Sequence, residues 1–181
     1  MSAEAMTRYV AFLRGINVGG HRPVKMADLA AAVARMGFEH VRTVQASGNV
    51  VFDSAGADPD AVAARVEAGL RETLGYSVGV LVRRATDLQA LVDSDPFSAV
   101  SVTPATRLYV TFLSRPVKSR TEIRPNDNVQ VVDITEGEVL TAIELSAGWG
   151  TTELMTWLEK EFGGGLTTRN WNTIARIVGR G

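Results

Sequence analysis

Two rhythms of apolar residues alternate along this chain, one with the period of a strand and one with the period of a helix. Residues 7–14 (TRYVAFLR) are rich in β-formers and stop at Gly15, which predicts a strand and then a loop through Val24. Met26, Leu29, Val33 and Met36 recur at helical spacing, and Gly37 stands where a helix C-cap glycine belongs. Residues 41–45 read as a second strand and 50–52 as a third, with Ser47-Gly48-Asn49 as the tight turn of a hairpin. Asp58-Pro59 is a helix start, Asp as N-cap and Pro at the first helical position. Val62, Val66, Leu70 and Leu74 mark that helix's buried face, Gly75 ends it, and residues 77–83 form a fourth strand. The order βαββαβ is the ferredoxin-like, split-βαβ pattern.

The second half is read more coarsely. Residues 86–92 predict a short helix stopped by Asp95-Pro96, and residues 107–113 (RLYVTFL) a strand. Residues 129–134 and 138–145 predict a hairpin across Glu136-Gly137. Residues 152–162 predict a helix with Leu154, Leu158 and Phe162 on one face, broken by three glycines at 163–165. A last helix is expected over 168–178, capped by Thr168, with Trp171, Ile174 and Val178 inside. The fold class is therefore α+β: a ferredoxin-like domain over 7–84 and a smaller α+β domain over 85–181 ending in two helices. Strand, hairpin and helix in the second half echo the first, so a degenerate repeat is one reading, although no residue-level repeat is read in its support. Residues 84–106 are the stretch that reads as a linker.

Composition trims the range of functions. The chain has 181 residues, 45% hydrophobic and 22% charged, as an ordinary globular protein has. A net charge of −1 gives no electrostatic case for general nucleic-acid binding. With no cysteine there is no disulfide, thiolate metal site or Cys nucleophile. No apolar run approaches the roughly 18 residues that span a bilayer, and the start lacks the basic and apolar regions of a signal peptide. A cytoplasmic protein with no cofactor and no membrane association is expected; its oligomeric state is not legible.

Three segments carry candidate chemistry. RGINVGG at 14–20 lies between a strand and a helix, where backbone N–H groups and the helix dipole can receive an anion. Gly15 and Gly20 have P-loop spacing, but His21-Arg22 follow instead of Lys-Ser/Thr, so the phosphate lysine and the magnesium hydroxyl of a P-loop are missing. Gln45-Ala46-Ser47-Gly48-Asn49 lacks the outer glycines of a nucleophile elbow and reads as a turn. In a ferredoxin-like sheet the first and third strands are antiparallel neighbours, so the 14–20 loop, the 47–49 turn and the start of the first helix share one edge. Arg14, Asn17, Gly19, Gly20, Ser47 and Asn49 are the candidate ligand-binding residues there. The third segment, TTRNWNT at 167–173, adds Arg169 and Asn170 as donors, expected to dock near that edge and close a polar cleft. His21 and His40 read as solvated loop histidines, and Asp53 and Asp60 as solvated carboxylates. No acid/base pair or metal spacing is legible.

RGINVGG (14–20), SGNVVF (47–52) and TTRNWNT (167–173), in this order, resemble the bacterial family known as domain of unknown function 1697. Asp95-Pro96-Phe97 and the strand ending Phe112-Leu113 are similar to it as well. His21 departs from the pattern, standing where a lysine or similar residue is expected. The resemblance implies a fold and supplies no activity. The expected role is a small-ligand or anion-binding module. Two alternatives remain: an enzyme acting on a phosphorylated or nucleotide-like substrate, and a single-stranded nucleic-acid binder built on the RRM scaffold. The RNP1 pattern is absent and Phe52 stands alone on the third strand, so nucleic acid is an unlikely partner.

Overall fold

The computed structural model describes residues 5–17, 23–56, 58–118, 123, 125–145 and 149–179. The first half runs β1 (Met6–Leu13), α1 (Met26–Arg35), β2 (Glu39–Thr43), β3 (Asn49–Ala55), α2 (Pro59–Leu74), β4 (Val80–Arg84) and α3 (Ala85–Asp93). Its four strands form one antiparallel sheet in the order β2-β3-β1-β4, the ferredoxin-like arrangement. Local chemistry sets the element ends. The Asp58 carboxylate accepts from the N–H groups of Asp60 and Ala61 at 3.2 and 3.4 Å, and Gly75 takes the left-handed turn that stops α2 at φ +78°. Gly37 does the same after α1 at φ +87°.

Strand alternation decides which side chains meet the helices. Tyr9, Ala11 and Leu13 from β1 and Val50 and Phe52 from β3 pack with Leu29 and Val33 of α1 and Val62, Val66 and Leu70 of α2. Burying each large side chain of this set contributes about 1.5–3 kcal/mol. The intervening positions Val10, Phe12 and Val51 are fully buried too.

The second half runs β5 (Thr106–Phe112), β6 (Val129–Ile134), β7 (Glu138–Glu144), α4 (Thr151–Phe162), β8 (Thr167–Asn170) and α5 (Trp171–Ile177). Its sheet has the order β6-β7-β5-β8, again antiparallel. That is the strand order of the first sheet, although no helix stands between β5 and β6 among the described residues. Leu113, Val139, Ile143, Leu154 and Leu158 are part of its core.

The residue-level repeat missing from the sequence reading becomes visible once the strands are paired. Tyr9-Val10-Ala11-Phe12-Leu13 on β1 and Tyr109-Val110-Thr111-Phe112-Leu113, ending β5, share Tyr-Val-x-Phe-Leu. Phe12 pairs with Asn49 as Phe112 pairs with Glu138, and Val10 pairs with Arg83 as Val110 pairs with Arg169. The Leu13 N–H donates to the Gly48 carbonyl at 2.9 Å, and the Leu113 N–H to the Gly137 carbonyl at 2.8 Å. Gly79 packs on Arg14 as Gly165 packs on Ser114. A register shift interrupts β2–β3 between Glu39 and Arg42, and another interrupts β6–β7 at the equivalent place between Val131 and Asp133.

Two expectations are corrected. The last helix does not begin at Thr168: residues 167–170 are an edge strand paired with β5, and the helix starts at Trp171. The β-branched pair Thr167-Thr168 suits a pleated edge, and the Thr168 hydroxyl, expected as a cap, instead bonds the Thr111 hydroxyl at 2.8 Å. Asn170 is the cap, its Oδ1 accepting from the Asn172 N–H at 2.9 Å. The β2–β3 connection is also not a tight turn at 47–49. It is a loop over 44–48, with Gln45 and Gly48 left-handed at φ +60° and +78°, and Asn49 opens β3.

Backbone packing divides the chain into Met1–Ala90 with Arg176–Gly181, and Leu91–Ala175. In the first unit the returning C-terminus is tied to β2, where Arg42 donates to the Ile177 carbonyl at 3.1 Å.

Candidate functional site

Residues 14–17 and the 44–48 loop meet at one end of the first sheet. Gly48 is the contact point: a Cβ there would lie 2.5 Å from Ile16 Cγ2 and 3.1 Å from Leu13 Cβ, so only glycine lets Ile16 seat against the loop. Asn17, left-handed at φ +60°, acts as a clasp. Its Oδ1 accepts from the Val24 N–H at 2.6 Å, and its Nδ2 donates to the Val24 carbonyl at 3.1 Å and to the Ala46 carbonyl at 3.5 Å. One amide therefore ties the approach to α1 to the β2–β3 loop. Asn49 is fully buried and braces the same loop, donating to the Val44 carbonyl at 2.9 Å and the Ser47 hydroxyl at 3.0 Å.

The candidate residues thus divide by job. Asn17 and Asn49 spend their amides on the backbone, and Ser47 is exposed. Arg14 lies half-buried along Gly79. Gly19, Gly20 and His21 lie outside the described residues. The start of α1 offers more than its motif suggested: Lys25 is its N-cap, and among the described residues no side chain caps the first-turn N–H groups.

Arg169 and Asn170 lie on β8 in the second unit. Arg169 is 9% exposed and donates to the Thr167 hydroxyl at 2.7 Å and the Thr168 carbonyl at 3.0 Å; burial pulls its guanidinium down to about 10. Its counterpart Arg83 donates to the carbonyl of its own preceding residue, Val82, at 3.1 Å. Trp171 is half-buried, with Phe97 edge-on at 5.0 Å, and Ile174 is fully buried.

A polar trio lies farther back along the first sheet, where the sequence reading expected only solvated groups. Asp53 is 9% exposed, not solvated. Arg8, directly opposite it on β1, forks onto it with Nε–Oδ1 at 2.8 Å and Nη2–Oδ2 at 3.0 Å. His40 Nδ1 reaches the same Oδ2 at 2.9 Å. The hydrogen bond from Arg8 and, after it, the one from His40 hold the Asp53 carboxyl below the usual carboxylate range, against the opposing effect of burial. An ionised carboxylate only accepts, so the proton of this bond sits on His40 Nδ1 and leaves Nε2 uncommitted.

His40 is left-handed at φ +50°, a conformation that carries of order 1–3 kcal/mol of strain in a residue other than glycine. The register shift beside it does not demand this, because the equivalent shift in β6–β7 is made with no left-handed residue. The available signal was slight: Arg8 falls on the first predicted strand and Asp53 stands one residue beyond the predicted third, at 50–52, close enough for the two charges to pair if that strand ran on.

Two four-stranded antiparallel sheets with the same strand order, each with its own helices, define an α+β protein of doubled architecture. The chain belongs to the family described as protein of unknown function (DUF1697), whose model matches residues 6–139. The 167–173 motif lies beyond that match. Among solved structures the chain is similar to the conserved bacterial protein SP0830 from Streptococcus pneumoniae, at 22% identity and a TM-score of 0.71 over 96% of this chain and 98% of that one, a likeness of fold. An unknown protein from Galdieria sulphuraria aligns over 92% of this chain and 98% of its own, at 14% identity and a TM-score of 0.31, too low to carry an argument. Comparison with curated proteins finds no match. No helix among the described residues is long and apolar enough to cross a membrane.

Proposed function

We propose that this chain is a small-ligand-binding module that receives an anionic group where β1 ends, β3 begins and α1 starts. The observation that supports this is the Asn17 clasp, which binds Val24 and Ala46 with one side chain. It holds the N-terminus of a ten-residue helix, without a side-chain cap and with Lys25 at its N-cap, beside a polar loop. The aligned peptides of α1 place about half a positive charge at that end, and Lys25 adds a full one, with Asp28 in the first turn as the local counter-charge.

A base-stacking role has less support. Tyr9, Phe12 and Phe52, the aromatic side chains of the central strands, are 1%, 0% and 0% exposed. Phe52 faces the helices with its ring centroid 4.4 Å from that of Phe38, so it offers no platform to a base.

Thermal shift tests the proposal, with inorganic phosphate, sugar phosphates, nucleotides and carboxylates on the wild type and Lys25→Gln. A ligand at about ten times its Kd adds roughly 1.4 kcal/mol, a rise of about 3–6 °C for a chain of this size. The proposal expects such a rise with at least one anion and its loss in Lys25→Gln. No rise with any anion at about 10 mM, or an equal rise in the variant, counts against it.

A further inference from the structure

The Arg8–Asp53–His40 trio lies at a different place on the first sheet from the Asn17 clasp, and three observations set it apart from ordinary scaffolding. In the matching register of the second sheet, the pair Arg8 and Asp53 is replaced by Leu108 and Ala142. The strand pairing therefore does not need charges there. His40 holds a strained left-handed backbone at a register shift that the second sheet makes without one. Asp53, nine-tenths buried, spends both oxygens aligning two side chains whose remaining nitrogens, Arg8 Nη1 and His40 Nε2, have no protein partner among the described residues.

Beside the trio lies an open hollow of about 410 Å³ lined by Met6, Arg8, Asp53, Ala85, Thr86 and Gln89. Met6 is 48% exposed, and with Ala85 it supplies an apolar wall. Thr86 and Gln89 supply a hydroxyl and an amide. Two cations share one carboxylate, so the trio has room for one further negative charge when the imidazole is protonated. A neutral imidazole leaves a lone pair on Nε2 that can take a hydroxyl hydrogen instead.

We propose that this hollow is a second ligand site, independent of the α1 edge, for a small organic carboxylate with a short apolar body. The carboxylate meets the uncommitted Nη1 of Arg8, whose planar guanidinium suits carboxylate geometry. The apolar body rests on Met6 and Ala85. Asp53 is the positioning residue, fixing the Arg8 guanidinium; His40, bonded to the same carboxylate, reports on it from outside the lining.

The chain has two histidines, so His21→Gln leaves the His40 imidazole as a single proton NMR reporter. In that background the His40 Hε1 resonance is followed during titration with acetate, butyrate, inorganic phosphate and, as a salt control, butylammonium chloride. Butyrate is expected to give a saturable shift with a Kd in the millimolar range, as suits a site of one or two charge-assisted hydrogen bonds. Acetate binds more weakly, by about fourfold for each methylene that butyrate buries. Arg8→Gln weakens butyrate at least about tenfold, Arg8→Lys falls between, and Lys25→Gln leaves it unchanged. Thermal melts confirm that each variant is folded. No saturation with butyrate by about 50 mM overturns the proposal. So does saturation that survives Arg8→Gln, an equal shift with butylammonium, or tighter binding of inorganic phosphate than of butyrate.

Discussion

The two sheets are built on one plan and finished differently. Both run their strands in the same order, both carry Tyr-Val-x-Phe-Leu on or at the end of the strand second from one edge, and both set a glycine carbonyl under that motif's final leucine. The first sheet then adds a clasp at Asn17, a left-handed histidine and a charged pair. The second has Leu108 opposite Ala142 where the first has Arg8 opposite Asp53, and Thr141 where the first has Phe52. What is shared satisfies backbone hydrogen bonds and strand packing. What differs is polar, half-accessible or strained, which is why the candidate sites are argued from the first half.

The sharpest way to break this comparison is at one close-packed glycine in each sheet, Gly48, whose counterpart is Gly137, and Gly165, whose counterpart is Gly79. Gly48→Ala puts a Cβ against Ile16 and Leu13 at a positive φ, and is expected to remove about 2–4 kcal/mol, a fall in Tm of roughly 5–15 °C. Gly165→Ala meets the Ser114 side chain, whose hydroxyl can rotate away, and is expected to lose about half as much. Equal losses in paired thermal melts would show that the two glycine contacts are mechanically alike.

Asp53→Ala is expected to lose about 1–3 kcal/mol at neutral pH, since it strands Arg8 and His40 without their common acceptor. The Asp53 carboxyl is held below its ordinary value of 3.8, chiefly by Arg8. Its contribution is therefore complete above that value and disappears as pH falls through the lower folded-state value. Urea melts of wild type and variant should differ at pH 7 and converge in strong acid. A gap that persists there would assign Asp53 a packing role in place of an electrostatic one.

The smallest effect is expected in the second sheet. Thr141 is fully buried and its hydroxyl has no hydrogen-bond partner among the described residues. Thr141→Val keeps the shape and removes the orphaned group, so stability should rise by about 1 kcal/mol, a gain of roughly 2–4 °C in Tm. A loss would mean that the hydroxyl finds a partner in solution.

Much of the first half was legible because its signals are local. Asp58-Pro59 starts a helix and Gly75 stops one by interactions within a few residues, and the alternation around Val50 and Phe52 needs no partner to be read. The meeting of residues 14–17 with the 44–48 loop followed from the topology. The strand over 167–170 was misread because four polar residues next to a helical pattern carry no period of their own; pairing with β5 decides it. The Tyr-Val-x-Phe-Leu repeat was present in the letters, but its meaning comes from register, which turns five matching residues into equivalent positions.

By itself, then, the sequence determined the α+β class, the βαββαβ order of the first half and the edge where its glycine-bearing segments meet. Caps, turns and side-chain periods act over a few residues, and a linear reading contains them. The tertiary structure decided which side chains on that edge are clasps, and that Asp53 is buried and held by Arg8 and His40. Arg8 and His40 lie 45 and 13 residues from Asp53 along the chain. A carboxylate that leaves water needs donors, and which side chains supply them is fixed only when the strands find their register.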